Sequence, residues 1–135
     1  MIIKKYLGID VGTKRIGIAL ATDEPRIAYP LTTLEVDGSE TESLKAIINT
    51  NNIDIVVVGF PRSQTGEKTS QTEYTMNFVN RMKNFLPKIH YQDESLSSIN
   101  AENFLKSTKK PYSKSDIDSK AASIILQDYL DSLND

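Results

Sequence analysis

The chain contains no cysteine and only one histidine among its 135 residues. Without cysteine, a disulfide scaffold, a thiol nucleophile and every cysteine-ligated zinc or iron–sulfur site are excluded. A site built from several histidines is excluded as well, and a serine triad would require His90 as its base. The side chains left for metal binding and catalysis are therefore mainly carboxylates.

Long hydrophobic runs are also missing. The longest strongly apolar stretch, residues 55–60, is far shorter than the roughly 20 residues that a membrane-spanning helix needs. The N-terminus reaches Asp10 too early for a signal peptide. With 39% hydrophobic and 25% charged residues, the composition is that of a folded protein. We therefore expect a single cytoplasmic domain over residues 1–135, with no membrane association.

Net charge is small but unevenly distributed. Sixteen basic and 18 acidic residues give a net charge of −2, which by itself argues neither for nor against a nucleic-acid partner. Between residues 106 and 120, however, five lysines face only Asp116 and Asp118. Such a segment is by itself typical of a solvated helix face, and binding to phosphates is the functional alternative.

The apolar pattern predicts nine elements in the order β-β-β-α-β-α-β-α-α. Alternating or continuous apolar residues predict strands at 5–11, 15–21, 26–34, 53–60 and 88–93. Helical spacing predicts helices at about 39–51, 70–86, 97–106 and from 115 onward. Short turns make the first three strands antiparallel, whereas helical connections make the last two parallel. The expected fold is a five-stranded mixed α/β sheet with helices on both faces.

Several local details of these elements can also be predicted. Pro30 confines the third strand to an edge or a bulge. Capping-box spacing occurs at Ser39 with Glu42 and at Ser115 with Asp118, so these serines are the expected helix caps. The third helix is expected to bury the apolar residues Ala101, Phe104 and Leu105.

Acidic residues stand at three unusual positions. Asp10 ends the first strand before a glycine turn, and Asp93-Glu94 ends the fifth strand. Asp118 lies one turn before the apolar face of the last helix. Because α/β sheets bind ligands beyond the carboxyl ends of their strands, these acids are expected to converge there. Each has a purely structural alternative: a turn for Asp10, a strand-to-helix junction for Asp93-Glu94 and a helix-dipole acid for Asp118.

Converging carboxylates repel one another unless a cation neutralises them. Mg²⁺ and Mn²⁺ prefer carboxylate oxygens and retain waters for substrate phosphates. Two such ions can activate a water and stabilise the leaving oxygen of a phosphodiester, without help from cysteine or histidine. The sequence therefore favours metal-dependent phosphodiester chemistry.

Four motifs in order resemble those of the YqgF/RuvX family of Holliday-junction-resolvase-like nucleases. The first is the run Leu-Gly-Ile-Asp-Val-Gly-Thr-Lys-Arg-Ile-Gly-Ile-Ala at residues 7–19. The others are Val-Val-Val-Gly-Phe-Pro at 56–61, Asp-Glu-Ser-Leu-Ser-Ser at 93–98, and the last helix from Asp-Ser-Lys-Ala-Ala at 118–122. The resemblance covers essentially the whole chain.

This resemblance implies an RNase H-like fold and a nuclease that matures the 5′ end of pre-16S ribosomal RNA with Mg²⁺ or Mn²⁺. It places the catalytic, metal-binding acids at Asp10, Glu94 and Asp118, with Asp93 as the alternative to Glu94. Two departures from the family pattern concern substrate handling: Ser95 stands in place of an arginine, and the loop at residues 62–66 lacks the usual Asn-x-Asp-Gly.

Basic residues near these motifs are the candidates for binding nucleic acid, with RNA favoured and branched DNA as the alternative. They are Lys14, Arg15, Arg62, Lys109, Lys110 and Lys114.

Three other functions remain open at this point. A Holliday-junction DNA resolvase and a non-catalytic RNA-binding module for ribosome assembly are compatible with the same fold. The Asp-x-Gly-Thr turn also resembles the phosphate-binding opening of the actin, Hsp70 and sugar-kinase superfamily. Those phosphotransferases close two such domains around ATP, whereas 135 residues supply one. The sequence does not distinguish a monomer from a dimer.

Overall fold

A computed structural model describes residues 3–60, 70–93 and 97–133, without the side chains of residues 97 and 98. The strands are β1 (Lys5–Val11), β2 (Arg15–Thr22), β3 (Tyr29–Glu35), β4 (Ile55–Phe60) and β5 (Lys88–Asp93). The helices are α1 (Glu40–Asn51), α2 (Ser70–Met82), α3 (Ser97–Ser107) and α4 (Lys114–Ser132). Within the described ranges, no helix has the length and apolar character needed to cross a membrane.

The five strands form one mixed sheet in the order β3-β2-β1-β4-β5. β1 pairs antiparallel with β2 and parallel with β4, while β5 pairs parallel with β4. The predicted sheet is therefore confirmed. β1, β4 and β5 run in the same direction, so their carboxyl ends, with Asp10 near one and Asp93 at another, share one edge.

Each face of the sheet carries its own apolar core. Leu7, Ile9 and Val11 of β1 point to a core completed by α1 and α2. Tyr6, on the opposite face, packs with Ala122 and other apolar residues of α4. Because side chains alternate along a strand, every second residue of β1 faces α4. The helices thus cover both faces, as the sequence predicts.

β3 and β4 begin later than predicted because neighbouring groups engage the backbone before them. The amide of Gln127 donates to the carbonyl of Arg26 and its carbonyl accepts from the N–H of Ala28, so α4 holds this segment outside the sheet. Ile53 N–H donates to Ile48 O and thereby closes the end of α1. The predicted edge position of Pro30 is confirmed, next to a register shift in the β2–β3 pairing.

The capping box predicted at the start of α1 is wrong. Ser39 occupies the N-cap position, but its side chain makes no capping hydrogen bond. Instead its hydroxyl donates to Oδ1 of Asp37 at 2.5 Å, and its N–H donates to the same oxygen. The Ser39 side chain is therefore held by Asp37 and does not accept from the helix N–H groups that the local pattern assigns to it.

Two helices also differ from the prediction, α2 in its length and α3 in its burial. α2 ends at Met82, because the N–H groups of Phe85 and Leu86 both turn back to the Met82 carbonyl. In α3, Ala101 is buried as predicted, but Phe104 is half exposed, which contradicts its predicted core position. Lys120 Nζ lies 4.0 Å from the centre of the Phe104 ring. The α3 face packs on α4 rather than on the sheet, and this narrow contact buries fewer residues.

Tyr6 provides a test of the hydrogen bond that joins β1 to the segment after β2. Its hydroxyl donates to Oδ1 of Asp23 at 2.6 Å, and burial, followed by this hydrogen bond, raises its pKa to about 12. Ionisation is thus disfavoured in the folded state, so this stabilisation is complete below pH 10 and is lost as the pH rises towards 12. We expect Tyr6→Phe to lower the free energy of unfolding by about 1–2 kcal/mol at pH 7.

The difference between wild type and Tyr6→Phe should shrink between pH 10 and pH 12, measured by urea unfolding. The exposed Tyr29 serves as a control, because Tyr29→Phe should follow the wild-type pH dependence. A difference that stays constant up to pH 12 would contradict this assignment.

Candidate active site at the carboxyl edge of the sheet

Asp10 lies near the carboxyl end of β1 on the face that α4 covers. A Cβ placed on Gly8 would lie 2.8 Å from Leu126 Cβ and 3.0 Å from the Ala122 carbonyl oxygen, so this position faces α4. Asp10 is two residues further along the strand and therefore points to the same face. It is partly exposed and pairs across the strands with Gly17. The first acid is thus at the predicted edge and open to solvent.

The N-cap of α4 lies two residues earlier than predicted, at Ser113 instead of Ser115, and this changes the role of Asp118. Ser113 is the N-cap, and its hydroxyl accepts from the N–H of Asp116, whose carboxylate accepts from Ser113 N–H. The predicted box of Ser115 with Asp118 is therefore wrong. Since Asp116 performs the capping, the Asp118 carboxylate lies in the next turn and is not used to cap the helix.

Two contacts fix the position of Asp118 over the sheet. A Cβ on Gly17 would lie only 2.0 Å from the Asp118 carbonyl oxygen, so the helix backbone rests directly on β2. The Thr33 hydroxyl on β3 donates to the Ser115 carbonyl at 2.6 Å and holds the preceding turn. Because Gly17 is also the cross-strand partner of Asp10, one glycine brings both acidic residues together on the same face.

Arg15 forms an ion pair with Asp118 across 103 positions of sequence. Its Nε donates to Asp118 Oδ2 at 2.5 Å, and the two side chains are 28% and 23% exposed. The hydrogen bond to Asp118, followed by the carboxylate charge, raises the pKa of the Arg15 guanidinium. A cationic group thus already sits at this carboxylate.

The third predicted acid, Glu94, lies outside the described residues, as does Ser95. Its neighbour Asp93 ends β5, paired with Phe60 of β4. β5 is two strands from β1, or about 10 Å at the usual strand spacing. Within residues 3–60, 70–93 and 97–133, no group of three or more metal-ligating side chains is found.

The donors at this edge suit a hard divalent cation. Asp10 and Asp118 offer carboxylate oxygens, which Mg²⁺ and Mn²⁺ prefer, and both side chains are partly exposed. The Arg15 guanidinium shows that Asp118 accepts a positively charged partner in this position. The residues present therefore fit the metal that the sequence predicts.

The predicted basic residues lie mostly at the surface. Lys14 is exposed in the β1–β2 turn, whereas the guanidinium of Arg15 is directed to Asp118. Arg62 lies outside the described residues. Lys109 and Lys110 are exposed in the segment before α4, and Lys114 is exposed at its first position. This segment ends a few residues before Asp118, so its positive charges lie near the acids.

Sequence reasoning missed two contacts at this edge. Gln71, at the start of α2, donates from Nε2 to the Val11 carbonyl at 2.9 Å and so braces the end of β1 just after Asp10. The ion pair between Arg15 and Asp118 is the other. No local periodicity indicates either contact, because the partners are distant in sequence. The one histidine, His90, packs its ring against Tyr129 of α4, at 5.2 Å between centroids.

Proteins of similar sequence match this chain over nearly its full length. A protein of Sulfurihydrogenibium sp. strain YO3AOP1, named "Putative pre-16S rRNA nuclease", is 38% identical over 133 residues, covering 96% of this chain and 92% of the relative. A protein of Rippkaea orientalis with the same name is 40% identical over 131 residues, covering 93% of this chain and 94% of the relative.

Solved structures share the fold at low sequence identity. The T. thermophilus RuvC in complex with Holliday junction substrate matches with a TM-score of 0.55 and 12% identity, over 97% of this chain and 96% of that protein. The Fowlpox virus resolvase in complex with Holliday junction DNA matches with a TM-score of 0.56 and 12% identity, over 97% of this chain and 99% of that protein. These likenesses support the RNase H-like fold that the sequence predicts.

A family model described as "RuvX: Holliday junction resolvase" matches residues 4–132. This match favours the nuclease interpretation over the phosphotransferase alternative. Together with the relatives at 38–40% identity, it places the chain in the RuvX family.

Proposed function

We propose that this protein is a metal-dependent nuclease that processes the 5′ end of pre-16S ribosomal RNA. The observation that carries the proposal is the placement of Asp10 and Asp118 on one face of the sheet, joined through Gly17. Membership of the RuvX family and the names of the relatives support the reaction and the substrate.

Asp10, Asp118 and Glu94 would hold Mg²⁺ or Mn²⁺. When bound, such ions activate a water and stabilise the leaving oxygen of the phosphodiester. The carboxylates act as ligands at the carboxyl edge, and the contact of Gly17 with the α4 backbone keeps Asp118 in place. Because α4 and β1 are both anchored by buried side chains, the two acids are held in position before the substrate arrives.

Positive charge near these acids gives a polyanion a place to bind. Lys14 lies at the hairpin after Asp10, while Lys109 and Lys110 precede α4 and Lys114 is its first residue. The two groups flank the acids along the chain, so a phosphate backbone held by both would pass over the carboxyl edge. Such contacts position a nucleic acid without selecting its sequence.

The proposed function is tested by cleavage assays on three substrates: a pre-16S rRNA fragment that includes the 5′ end, an unrelated single-stranded RNA of equal length, and a four-way DNA junction. We expect Mn²⁺- or Mg²⁺-dependent cleavage, fastest on the pre-rRNA fragment, and no cleavage after addition of EDTA. An Asp10→Asn preparation controls for contaminating nuclease. Absence of metal-dependent RNA cleavage in the purified wild type would overturn the proposal.

Branched DNA is the alternative substrate, and the description of the family as Holliday junction resolvases favours it. Preferential, symmetrical cleavage of the four-way junction, with little action on either RNA, would identify a resolvase. Binding of RNA without cleavage in any metal would instead support the ribosome-assembly alternative.

The basic segment before α4 makes a separate prediction. Replacing Lys109 and Lys110 with alanine should weaken RNA binding by a similar factor for all sequences and flatten the plot of log K against log salt by about 1 per lost contact. Turnover at saturating substrate should change much less, because neither lysine belongs to the acidic site. Fluorescence anisotropy at several salt concentrations measures both the affinity and the slope.

The matched control removes two exposed lysines elsewhere, at Lys83 and Lys88. This control should leave the slope near that of the wild type. If the Lys109 and Lys110 variant also retains the wild-type affinity and slope, the segment is a solvated surface.

A further inference from the structure

The ion pair between Arg15 and Asp118 differs in kind from the other salt bridges among the described residues. Each of the other two joins neighbouring turns within a single helix: Lys45 with Glu42 in α1 at 3.7 Å, and Lys106 with Glu102 in α3 at 3.4 Å. The Arg15 pair instead joins β2 to α4 at 2.5 Å, with both side chains about three-quarters covered. A partly desolvated, charge-assisted hydrogen bond is stronger than an exposed pair. This contact therefore has a substantial effect on the Asp118 carboxylate.

The position of Arg15 has two opposing consequences for a divalent cation at Asp118. Holding the carboxylate in one orientation favours cation binding, by roughly threefold for one immobilised side chain. Charge repulsion opposes cation binding. Between a unit charge and a divalent ion about 6 Å apart, it lowers the binding constant by roughly tenfold, even at the dielectric constant of water. The repulsion is the larger effect, so Arg15 at Asp118 weakens cation binding to the free protein.

A phosphodiester is an alternative partner for the same guanidinium. Arginine binds phosphate through two parallel hydrogen bonds, a geometry that its planar fork favours. The Arg15 backbone is fixed in β2 by pairing with Glu35, but its side chain retains 28% exposure and can change partner by rotation alone. Arg15 also begins the strand that follows the Asp10 hairpin, so a phosphate at the acids lies within reach of its side chain.

We propose that Arg15 exchanges Asp118 for a phosphate of the bound nucleic acid, and that this exchange couples divalent-cation binding to substrate binding. In the free protein, the guanidinium neutralises Asp118 and keeps the cation affinity low. When the substrate binds, the guanidinium moves to phosphate and the Asp118 carboxylate becomes available to the cation. By linkage, the cation strengthens substrate binding by the same factor. The inference rests on the proposed function, because it takes Asp118 as a metal ligand.

The experiment measures Mn²⁺ affinity by isothermal titration, with and without a saturating 12-nucleotide RNA. Phosphorothioate linkages slow cleavage of this RNA, and a gel after each titration verifies that it is intact. In the wild type, RNA should tighten Mn²⁺ binding by about tenfold or more. In Arg15→Met, the free protein should bind Mn²⁺ several-fold to about tenfold more tightly than the wild type, and the gain caused by RNA should be reduced by a similar factor.

Two further variants separate this mechanism from a general charge effect. Lys88→Met removes one positive charge at the opposite edge of the sheet, where β5 begins, and should behave as the wild type in both titrations. Arg15→Gln retains a polar stem and repeats the comparison if the methionine variant does not fold, as judged by circular dichroism.

Weaker or unchanged Mn²⁺ binding in both Arg15 variants would overturn the inference, since it would mean that the guanidinium only orients Asp118 or has no effect on the site. An RNA-induced gain as large in these variants as in the wild type would also overturn it. Failure of the proposed function looks different: the wild type would then neither bind Mn²⁺ at these acids nor cleave RNA.

Discussion

Asp10→Asn should abolish RNA cleavage while the protein remains folded. The substitution keeps the size of the side chain but removes a negative charge at the carboxyl edge, where the structure places Asp10 on the same face as Asp118. An amide is a much poorer ligand for Mg²⁺ or Mn²⁺ than a carboxylate. We expect kcat to fall about 10³-fold or more, which corresponds to roughly 4 kcal/mol in the activation barrier. The measurement is cleavage at saturating RNA and metal.

The melting temperature distinguishes loss of chemistry from loss of fold. Asp10 is partly exposed, so its replacement by asparagine should change the melting temperature by no more than a few degrees. Asp54→Asn is a matched control, because Asp54 is exposed and lies beside Lys5, at the opposite end of β1. This control should cleave at the wild-type rate. Activity of Asp10→Asn comparable to wild type would refute Asp10 as an essential residue.

The position of Asp10 could be predicted from sequence because it depends on a short-range rule. Alternation along residues 5–11 identifies the strand and its two faces, and the apolar run that became β4 indicates a buried parallel neighbour. These two patterns suffice to place Asp10 near the carboxyl edge. The order of all nine elements follows from patterns of the same kind.

The start of α4 could not be predicted in this way. Ser113 with Asp116 and Ser115 with Asp118 have the same capping-box spacing, so the local sequence offers two starts with equal chemistry. The structure uses the first start, in which Ser113 and Asp116 exchange both capping hydrogen bonds. The Thr33 hydroxyl on β3 also donates to the Ser115 carbonyl, so a contact with the sheet that no local pattern shows holds this first turn. The consequence is functional, since the second start would engage Asp118 in capping.

Contacts between distant segments are also invisible to periodicity. Arg15 and Asp118 are 103 positions apart, and each has a sufficient local explanation as a turn cation or a helix acid. The burial predicted for Phe104 is wrong for a related reason. Its spacing from Ala101 is that of an apolar helix face, but that face meets another helix rather than the sheet. Burial depends on what covers a face, and a single sequence does not state this.

Gly17→Ala should destabilise the protein more than any exposed glycine substitution, although the local backbone tolerates alanine. Among the described glycines, only Gly38 has a positive φ, so Gly17 needs no unusual conformation. In a strand, alanine is ordinarily favoured over glycine by about 0.5–1 kcal/mol. Here, however, the new Cβ would lie 2.0 Å from the Asp118 carbonyl oxygen and 2.4 Å from its carbonyl carbon. These are backbone atoms, so the clash can be relieved only by moving α4 or bending β2.

The steric overlap of the new Cβ with α4 outweighs the higher strand propensity of alanine, because displacing a packed helix costs about 3 kcal/mol or more. We therefore expect Gly17→Ala to lower the melting temperature by about 10 °C for a domain of this size.

Gly38→Ala is the comparison: Gly38 has φ +103° and nothing within 4 Å of the new Cβ, so only backbone strain of about 1–2 kcal/mol applies. Because the shift of α4 carries Asp118 away from Asp10, any Gly17→Ala protein that remains folded should also cleave RNA more slowly, whereas Gly38→Ala should keep the wild-type rate. A Gly17→Ala protein as stable and active as wild type would show that the close approach of α4 to β2 does not position the site.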